Sequence, residues 1–172
     1  MIAPAKGDGR TPDTVRHPVN AQVSSVTAYK KDGTTLDYTQ AFTYNAAGDV
    51  TAKAHDDPDG LRTDTVLDPI NGQVSSVTAY KKDGTTLDYT QAFTYNAAGD
   101  VTAIAQDNAD GARTETVLNP VNGQVSSVTA YKKDGTTLDY TQAFTYNASG
   151  EVTAIAQDNA DGSRTEPVLH PI

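Results

Sequence analysis

The sequence lacks cysteine altogether and has few of the large side chains that fill a protein core. Its 172 residues include no Cys, no Trp, one Met and three Phe. Without thiols the chain has neither a disulfide framework nor a thiolate metal site, and sulfur redox chemistry is excluded. With so few bulky apolar side chains, we expect the fold to depend on backbone ladders and on stacking between neighbouring units.

Positive charge and long apolar runs are also scarce. The formal net charge is -9, which disfavours binding to nucleic acid and to anionic membrane surfaces. No apolar run approaches the roughly 18 residues that a membrane-spanning helix needs, and the opening Met1-Ile2-Ala3-Pro4 lacks the form of a signal peptide. We therefore expect no nucleic-acid partner and no membrane insertion.

What the sequence does have is repetition. Asn20, Asn71 and Asn122 each begin a segment of 51 residues, and the second and third segments differ at only six positions. Such closeness is typical of recent duplication or deliberate design. The residues before Asn20 keep the same phase. The predicted organisation is a partial N-terminal copy over 1–19, followed by full copies over 20–70, 71–121 and 122–172.

Turn signals divide each copy further. Asp-Gly pairs alternate along the chain with Ala-Gly, Ser-Gly and Asn-Gly pairs. Glycine supplies the positive φ that tight hairpin turns demand, so each pair marks a chain reversal. The intervals leave strands of about 7 to 11 residues, rich in Val, Thr, Tyr, Phe and Ile. We predict an all-β fold of tandem antiparallel β-hairpins, an open meandering sheet (a spiral, shell or solenoid) with four strands per 51-residue copy.

All aromatic residues lie in one half of the repeat. If Asp83-Gly84 is a two-residue loop, Tyr80 lies opposite Leu87 and Thr78 opposite Tyr89, which gathers the aromatics on one sheet face. A bulge at the glycine would shift the register by one and weaken this separation. The predicted packing or binding face consists of Tyr29, Tyr38, Phe42, Tyr44, Tyr80, Tyr89, Phe93, Tyr95, Tyr131, Tyr140, Phe144 and Tyr146.

This apolar face needs a cover. The sheet can curl into a spiral or shell, the copies can fold back as stacked blades, or the face can pair with further copies of the repeat or with another chain. The sequence leaves these arrangements open. Prolines mark the ends, with Pro4 and Pro12 in the first hairpin and Pro167 in the last. Because proline removes a ladder donor and is tolerated at edges, we interpret these residues as caps on an open sheet.

Catalytic and metal-binding patterns are weak. Nucleophilic catalysis needs a Ser or Cys with a His base held by an acid, and no histidine is part of the repeated design. His17 and His170 occupy the position of Asp68 and Asn119, and His55 corresponds to Gln106 and Gln157. We interpret the histidines as solvated turn or strand-end residues. The turn from Asn108 to Gly111 mimics part of a calcium loop, but Gln106 stands where its first ligand belongs. We predict no enzyme activity, no catalytic residue, no cofactor and no metal.

One stretch resembles a known family. Phe93 to Thr102, continued by Asp107 to Gly111, resembles the YD repeat of bacterial Rhs proteins, whose pattern is Tyr-Asp, two residues, Gly, one residue and an aliphatic. The match recurs at 44–50, 95–101 and 146–152, with Asn in place of the Asp, whereas the second half of each copy fits poorly. The resemblance implies a long β-sheet wound into a shell or spiral, in secreted or surface-exposed bacterial proteins, that encloses or displays another polypeptide.

Three functions follow from these observations. The first is a structural module, a scaffold or stalk of an extracellular or cell-surface bacterial protein, in which copy number sets length. The second is a carbohydrate-binding module in which each copy is a propeller blade, two chains complete a ring and glycans bind between the blades. The third is an engineered or consensus array with no function of its own.

Overall fold

The computed structural model describes residues 12–167, and every regular element in that range is a β-strand. The chain divides into two compact units, residues 1–88 and 89–172. The first unit contains β1 (Asp13–Arg16), β2 (Val23–Tyr29), β3 (Leu36–Tyr44), β4 (Val50–Asp56), β5 (Arg62–Leu67) and β6 (Val74–Tyr80). β7 (Leu87–Tyr95) starts at the boundary, and the second unit continues with β8 (Val101–Asn108), β9 (Arg113–Leu118), β10 (Val125–Tyr131), β11 (Leu138–Tyr146), β12 (Val152–Asn159) and β13 (Arg164–Thr165).

The strands form an open antiparallel meander. Within each unit, every strand contacts only the strands that precede and follow it along the chain. Each 51-residue copy supplies four strands, as the turn spacing predicts. The Ala-rich stretch from Thr102 to Ala105, ambiguous by propensity, lies within β8. None of the described residues belongs to a helix long and apolar enough to cross a membrane.

The ladder continues across the copy boundaries. β5 ends the first full copy and pairs with β6 of the second, and β9 pairs in the same way with β10 of the third. Consecutive copies are therefore joined by backbone hydrogen bonds. The blades of a propeller would instead be separate sheets.

The turn at 132–137 shows why its sequence reverses the chain. Lys132 and Thr137 close it through an N–H to carbonyl bond of 2.8 Å, and Gly135 adopts a φ of 71°. The Asp134 carboxylate accepts from the backbone nitrogens of Thr136 and Thr137 at 2.9 and 2.7 Å, and from the Thr137 hydroxyl. These bonds, the hydroxyl bond foremost, lower the pKa of Asp134 from 3.8 to about 2.

The register after this turn differs from the two-residue-loop expectation. In the third copy Tyr131 pairs with Leu138, as its position predicts, but Ala130 pairs with Tyr140 and leaves Asp139 as an extra residue. The first copy repeats this shift. The Thr–Tyr pairing predicted for the strands is therefore wrong in these copies, because the bulge lies in the second strand and not at the glycine.

The sheet has almost no core. Among the described residues only Ala28, Ala79 and Ala130 are buried, with 5 to 6% of their surface exposed. Ala130 lies between Thr114 and Tyr140 on the neighbouring strands. Hydrogen-bonded ladders and cross-strand contacts, not a central core, are the contacts available to hold the sheet together.

The shortest strands adjoin prolines. β1 begins directly after Pro12, and the two-residue β13 ends two positions before Pro167. Both positions fit a residue that cannot donate to the ladder. Pro4, which we also interpret as a cap, and His170 lie outside the described residues.

Candidate functional site

The bulges give each unit two chemically different faces. In the second unit Tyr140 faces Ala130 on one neighbouring strand and Asn159 on the other, and Phe144 faces Ile155. Because directly opposed residues share a face, these side chains lie together. We call this surface, in either unit, the aromatic face. It carries nine of the predicted residues, Tyr38, Phe42, Tyr44, Tyr89, Phe93, Tyr95, Tyr140, Phe144 and Tyr146.

Three predicted residues lie on the opposite side. Tyr80 and Tyr131 pair with Arg62 and Arg113, which alternate with the residues of the aromatic face. Ala28 pairs with Tyr38 and lies on the aromatic face, so the next residue, Tyr29, points away from the aromatic face. The sequence expectation of one face for all twelve aromatics fails at these positions, since the bulge inverts the side chains beyond it.

A row of amides crosses the aromatic face beside the aromatic rings. In the third copy Gln142 Nε2 donates to Gln157 Oε1 at 2.9 Å, and Gln157 Nε2 donates to Asn159 Oδ1 at 2.7 Å. The second copy repeats the row with bonds of 2.9 and 2.8 Å. The sequence prediction missed this row. Its signal is that Gln91 and Gln106 recur 51 residues later as Gln142 and Gln157.

His55 occupies the middle of the amide row in the first copy. Its Nδ1 lies 3.0 Å from Gln40 Nε2, and its Nε2 lies 3.2 Å from Asp57 Oδ1. The ring is 4.9 Å from that of Tyr38. A neutral imidazole with its hydrogen on Nε2 satisfies both bonds, so the histidine reproduces the pattern of the glutamines. His55 is the next-to-last residue of β4, near a strand end as we expected, but it is half-buried and not solvated.

Two tyrosines of the aromatic face are tied to the backbone. The Tyr44 hydroxyl donates to the Val23 carbonyl at 2.9 Å, and the Tyr146 hydroxyl donates to the Val125 carbonyl at 2.8 Å. Both rings are half-buried. Their hydroxyls are therefore occupied within the sheet, which favours a packing role at these positions.

The opposite face carries ion pairs. Arg113 contacts Glu115 at 2.8 Å and Asp107 at 3.2 Å, and the Tyr131 hydroxyl donates to Glu115 at 3.4 Å. The bond to Glu115 is the main cause that raises the pKa of Arg113. The guanidinium of Arg62 repeats the arrangement with Asp64 at 2.9 Å. Pairs this exposed contribute little to stability individually.

The ends of the strands bring the copies into contact. A Cβ added to Gly111 would lie 2.0 Å from the carbonyl oxygen of Lys133, which is in the turn of the next copy. Lys133 also ion-pairs with Asp110 at 3.2 Å, and the pair helps to lower the pKa of Asp110, second to the Ala112 backbone bond. Gly60 meets Lys82 of the following copy in the same way, at 1.9 Å.

The opposite ends are joined by glutamines. Gln124 Nε2 donates to the Gly150 carbonyl at 3.0 Å, which links the turn at 119–124 to the turn at 147–151. Gln22 makes the equivalent bond to Gly48 at 3.0 Å. Neighbouring turns at both ends of the strands are thus held together by specific polar contacts.

The described residues offer no metal centre. They contain no group of three or more His, Asp or Glu side chains that could hold an ion. In the calcium-like turn, Asp110 is engaged by the Ala112 nitrogen at 3.1 Å as well as by Lys133. A shallow depression of about 340 Å³ beside Tyr44 is lined mainly by aromatic, amide and hydroxyl side chains.

Comparison with known proteins finds only weak structural similarity, at low sequence identity. No protein-family model matches the chain, and no curated protein matches it. A mutant Tc holotoxin pore of Photorhabdus luminescens is 13% identical, with a TM-score of 0.45 over 83% of this chain and 9% of that one. The TcdB2-TccC3-Cdc42 structure is 15% identical, with a TM-score of 0.47 over 86% and 9%.

A third solved structure, a Staphylococcus aureus TarM mutant with bound fondaparinux, is 10% identical with a TM-score of 0.38 over 67% of this chain. The chain spans only about a tenth of the length of the two toxin structures. At these scores no function passes from these proteins to this chain.

Proposed function

We propose that this chain is a structural module, a repetitive β-sheet in which added copies extend the length and in which no copy performs catalysis. The single observation that carries the proposal is the copy-to-copy contact. Gly111 receives the Lys133 carbonyl so closely that no other residue fits there, and the adjoining strands β9 and β10 share a ladder. A residue constrained by the next copy indicates that the copies are built to be stacked.

The burial pattern supports the same proposal. With only three alanines buried among the described residues, one copy has little apolar surface to hide on its own. Each copy instead contacts the neighbouring copies, through strand ladders and through contacts between turns. Such arrays draw their stability from nearest-neighbour interfaces.

We further propose that the aromatic face binds further copies of the repeat or another polypeptide. In the second unit the rows through Phe93 and Phe144 contain Ile104 and Ile155 and no charged side chain. The amides beside them already bond to one another, which limits the cost of removing water from that face. In the first copy Lys53 replaces the isoleucine opposite Phe42.

The match to the YD repeat in sequence supports an origin in a secreted or surface-exposed bacterial protein, and we propose that setting for the module. The matched residues form recurring turns, as at 96–100, where Asn96 Oδ1 accepts from the Asp100 nitrogen at 2.9 Å. Asn therefore makes the backbone contact that an Asp carboxylate could make at this position.

Chains of two, three and four copies test the structural role. We expect the midpoint of thermal unfolding to rise with each added copy, because every addition creates another interface. The control is the same series with each residue equivalent to Gly111 changed to Ala, in which the rise should be much smaller. A midpoint that does not depend on copy number in the unmodified series contradicts the proposal.

The aromatic face is tested separately by solution mass. Ile104→Lys and Ile155→Lys place a charge where the first copy already carries Lys53, so the strand tolerates it. If the face pairs chains, light scattering will show weaker self-association in the double variant and stronger self-association in Lys53→Ile. An identical mass for all three chains at every concentration would overturn this part of the proposal.

A further inference from the structure

Two turns combine an exposed asparagine with an unhindered glycine. Asn71-Gly72 and Asn122-Gly123 lie in equivalent turns, at 68–73 and 119–124, and all four residues are exposed. A Cβ added to either glycine would meet nothing within 4 Å among the described residues. No described group therefore crowds the side-chain position of either glycine, and glycine itself places no Cβ beside the nitrogen that would attack the asparagine side chain.

We propose that Asn71 and Asn122 are sites of spontaneous conversion to aspartate and isoaspartate, which the closed turn restrains and an opened turn releases. The glycine nitrogen gives up its proton and bonds to the asparagine Cγ. The bond between Cγ and Nδ2 breaks, and ammonia leaves. Water then opens the cyclic imide at either carbonyl, so the reaction needs no oxidant, metal or enzyme.

The folded turn opposes the first step. The N–H of Gly123 donates to the Asn119 carbonyl at 2.8 Å, and the N–H of Gly72 donates to the Asp68 carbonyl at 2.8 Å. A hydrogen-bonded amide is harder to deprotonate and cannot rotate toward Cγ. The asparagine side chain is fixed as well, since Asn122 Oδ1 accepts from the Gln124 nitrogen at 3.0 Å. Local opening must therefore precede reaction.

Conversion would break a contact between turns. Asn122 Nδ2 donates to Gln124 Oε1 at 2.6 Å, and this leaves Gln124 Nε2 to donate to the Gly150 carbonyl. A carboxylate at position 122 has no such donor and sets an oxygen against an oxygen. The glutamine must then reorient, and the link to Gly150 is lost. Isoaspartate also adds a carbon to the backbone of the turn.

The first copy provides a matched control within the same chain. Asn20 holds Gln22 as Asn122 holds Gln124, and Gln22 bonds to Gly48 at 3.0 Å. The following residue is Ala21, whose Cβ hinders attack by its backbone nitrogen. We therefore expect Asn20 to resist conversion although its hydrogen bonds are the same.

Peptide mapping by mass spectrometry of the intact chain, aged at mildly alkaline pH with and without denaturant, tests the proposal. In denaturant, Asn71 and Asn122 should convert about tenfold or more faster than Asn20. In the native chain both should slow by about tenfold or more, as for a reaction that proceeds only through an opened turn. Equal native and denatured rates at Asn122, or an equal rate at Asn20 in denaturant, would overturn it.

Two variants locate the restraint. Asn119→Ala removes the side chain that accepts from the Val121 nitrogen at 2.9 Å and should accelerate native conversion at Asn122 but not at Asn71. Asp68→Ala removes the acceptor of the Ile70 nitrogen at 2.8 Å and should do the reverse. No acceleration in either variant contradicts control by the turn.

The structural consequence has its own readout. Asn122→Asp should lower the thermal midpoint by as much as Gln124→Ala, and the double variant should lose no more than either single variant. Additive losses would show that Asn122 does not act through Gln124.

Discussion

The turns at 108–112 and 159–163 differ in sequence only at their last residue, yet they stand in different surroundings. Gly111 has a φ of 92° and Gly162 a φ of 85°, so both backbones require glycine equally. The carbonyl of Lys133 lies against Gly111, whereas no described atom lies within 4 Å of a Cβ built on Gly162. Comparing the two turns therefore separates the backbone conformation that each turn requires from the close contact that the next copy makes with Gly111.

This difference divides the requirements on a turn glycine into two kinds. The first is local: the positive φ of the turn, which is the same in every copy and can be inferred from the glycine itself. A contact requirement exists only where another turn is adjacent, and it is the part that couples the copies. Substitutions that remove one requirement and keep the other test this division directly.

The largest effect is expected for Gly111→Ala. The new methyl group would overlap the Lys133 carbonyl, so the two turns must separate and the ion pair between Asp110 and Lys133 must stretch. This overlap and the cost of a positive φ for alanine should together lower the free energy of unfolding by about 3 to 4 kcal/mol. Chemical denaturation measures this change.

Gly162→Ala is the control for that variant. It carries the same backbone cost with no overlap among the described residues, so its loss should be about 1 to 2 kcal/mol. Equal losses for the two substitutions would mean that the contact between copies contributes nothing.

Ala21→Gly should stabilise the chain. Ala21 has a φ of 58° and is the only described residue other than glycine with a positive φ. It occupies the position of Gly72 and Gly123 in the other copies, so glycine should raise the free energy of unfolding by about 1 kcal/mol. The reciprocal Gly123→Ala should lower it by a similar amount, and a matching sign for both changes would contradict this explanation.

Tyr146→Phe removes one hydrogen bond and leaves the ring in place. The Val125 carbonyl loses its side-chain donor, and we expect a loss of about 1 kcal/mol in urea unfolding. Tyr140→Phe is the control, since the Tyr140 hydroxyl makes no hydrogen bond with the described residues. A loss at Tyr140 as large as at Tyr146 would assign the effect to the ring environment instead.

The smallest effect is a pH dependence at the Asp-Gly turns. Hydrogen bonds, chiefly from the threonine hydroxyls, lower the pKa of Asp32, Asp83 and Asp134 from 3.8 to about 2. A lowered pKa in the folded chain means that the stabilisation is present above about pH 4 and is lost as the pH falls through about 2. Thermal midpoints should decline over that range.

Replacing these three aspartates by asparagine tests the cause. The triple variant should show a flatter decline between about pH 4 and pH 2, because its turn side chains no longer titrate. An unchanged decline would assign the acid sensitivity to other carboxylates.

Several parts of the fold follow from sequence for a clear physical reason. A glycine after Asp, Asn, Ala or Ser at regular intervals demands a reversal at each site, and β-branched and aromatic residues between reversals favour strands. The four strands per copy and the absence of helix among residues 12–167 confirm that reasoning. Periodicity alone was sufficient because each turn is determined by its own residues.

The composition of the aromatic face could not be derived in the same way. A bulge at Asp139 changes the partner of every later residue in the strand, and nothing in that residue marks it as unpaired. Tyr131 therefore lies with Arg113, while Tyr140 lies with the amides. A register depends on the fit between two strands, which a single strand does not encode.

The sequence by itself determined the repeat and its reversals, since glycine spacing acts locally, and its shortage of large apolar residues indicated a fold without a large core. Only the tertiary structure decided which side chains share a face and why Gly111 tolerates no substitute. Those properties arise where separate turns and strands meet, and the contact between Gly111 and Lys133 joins residues of two different copies.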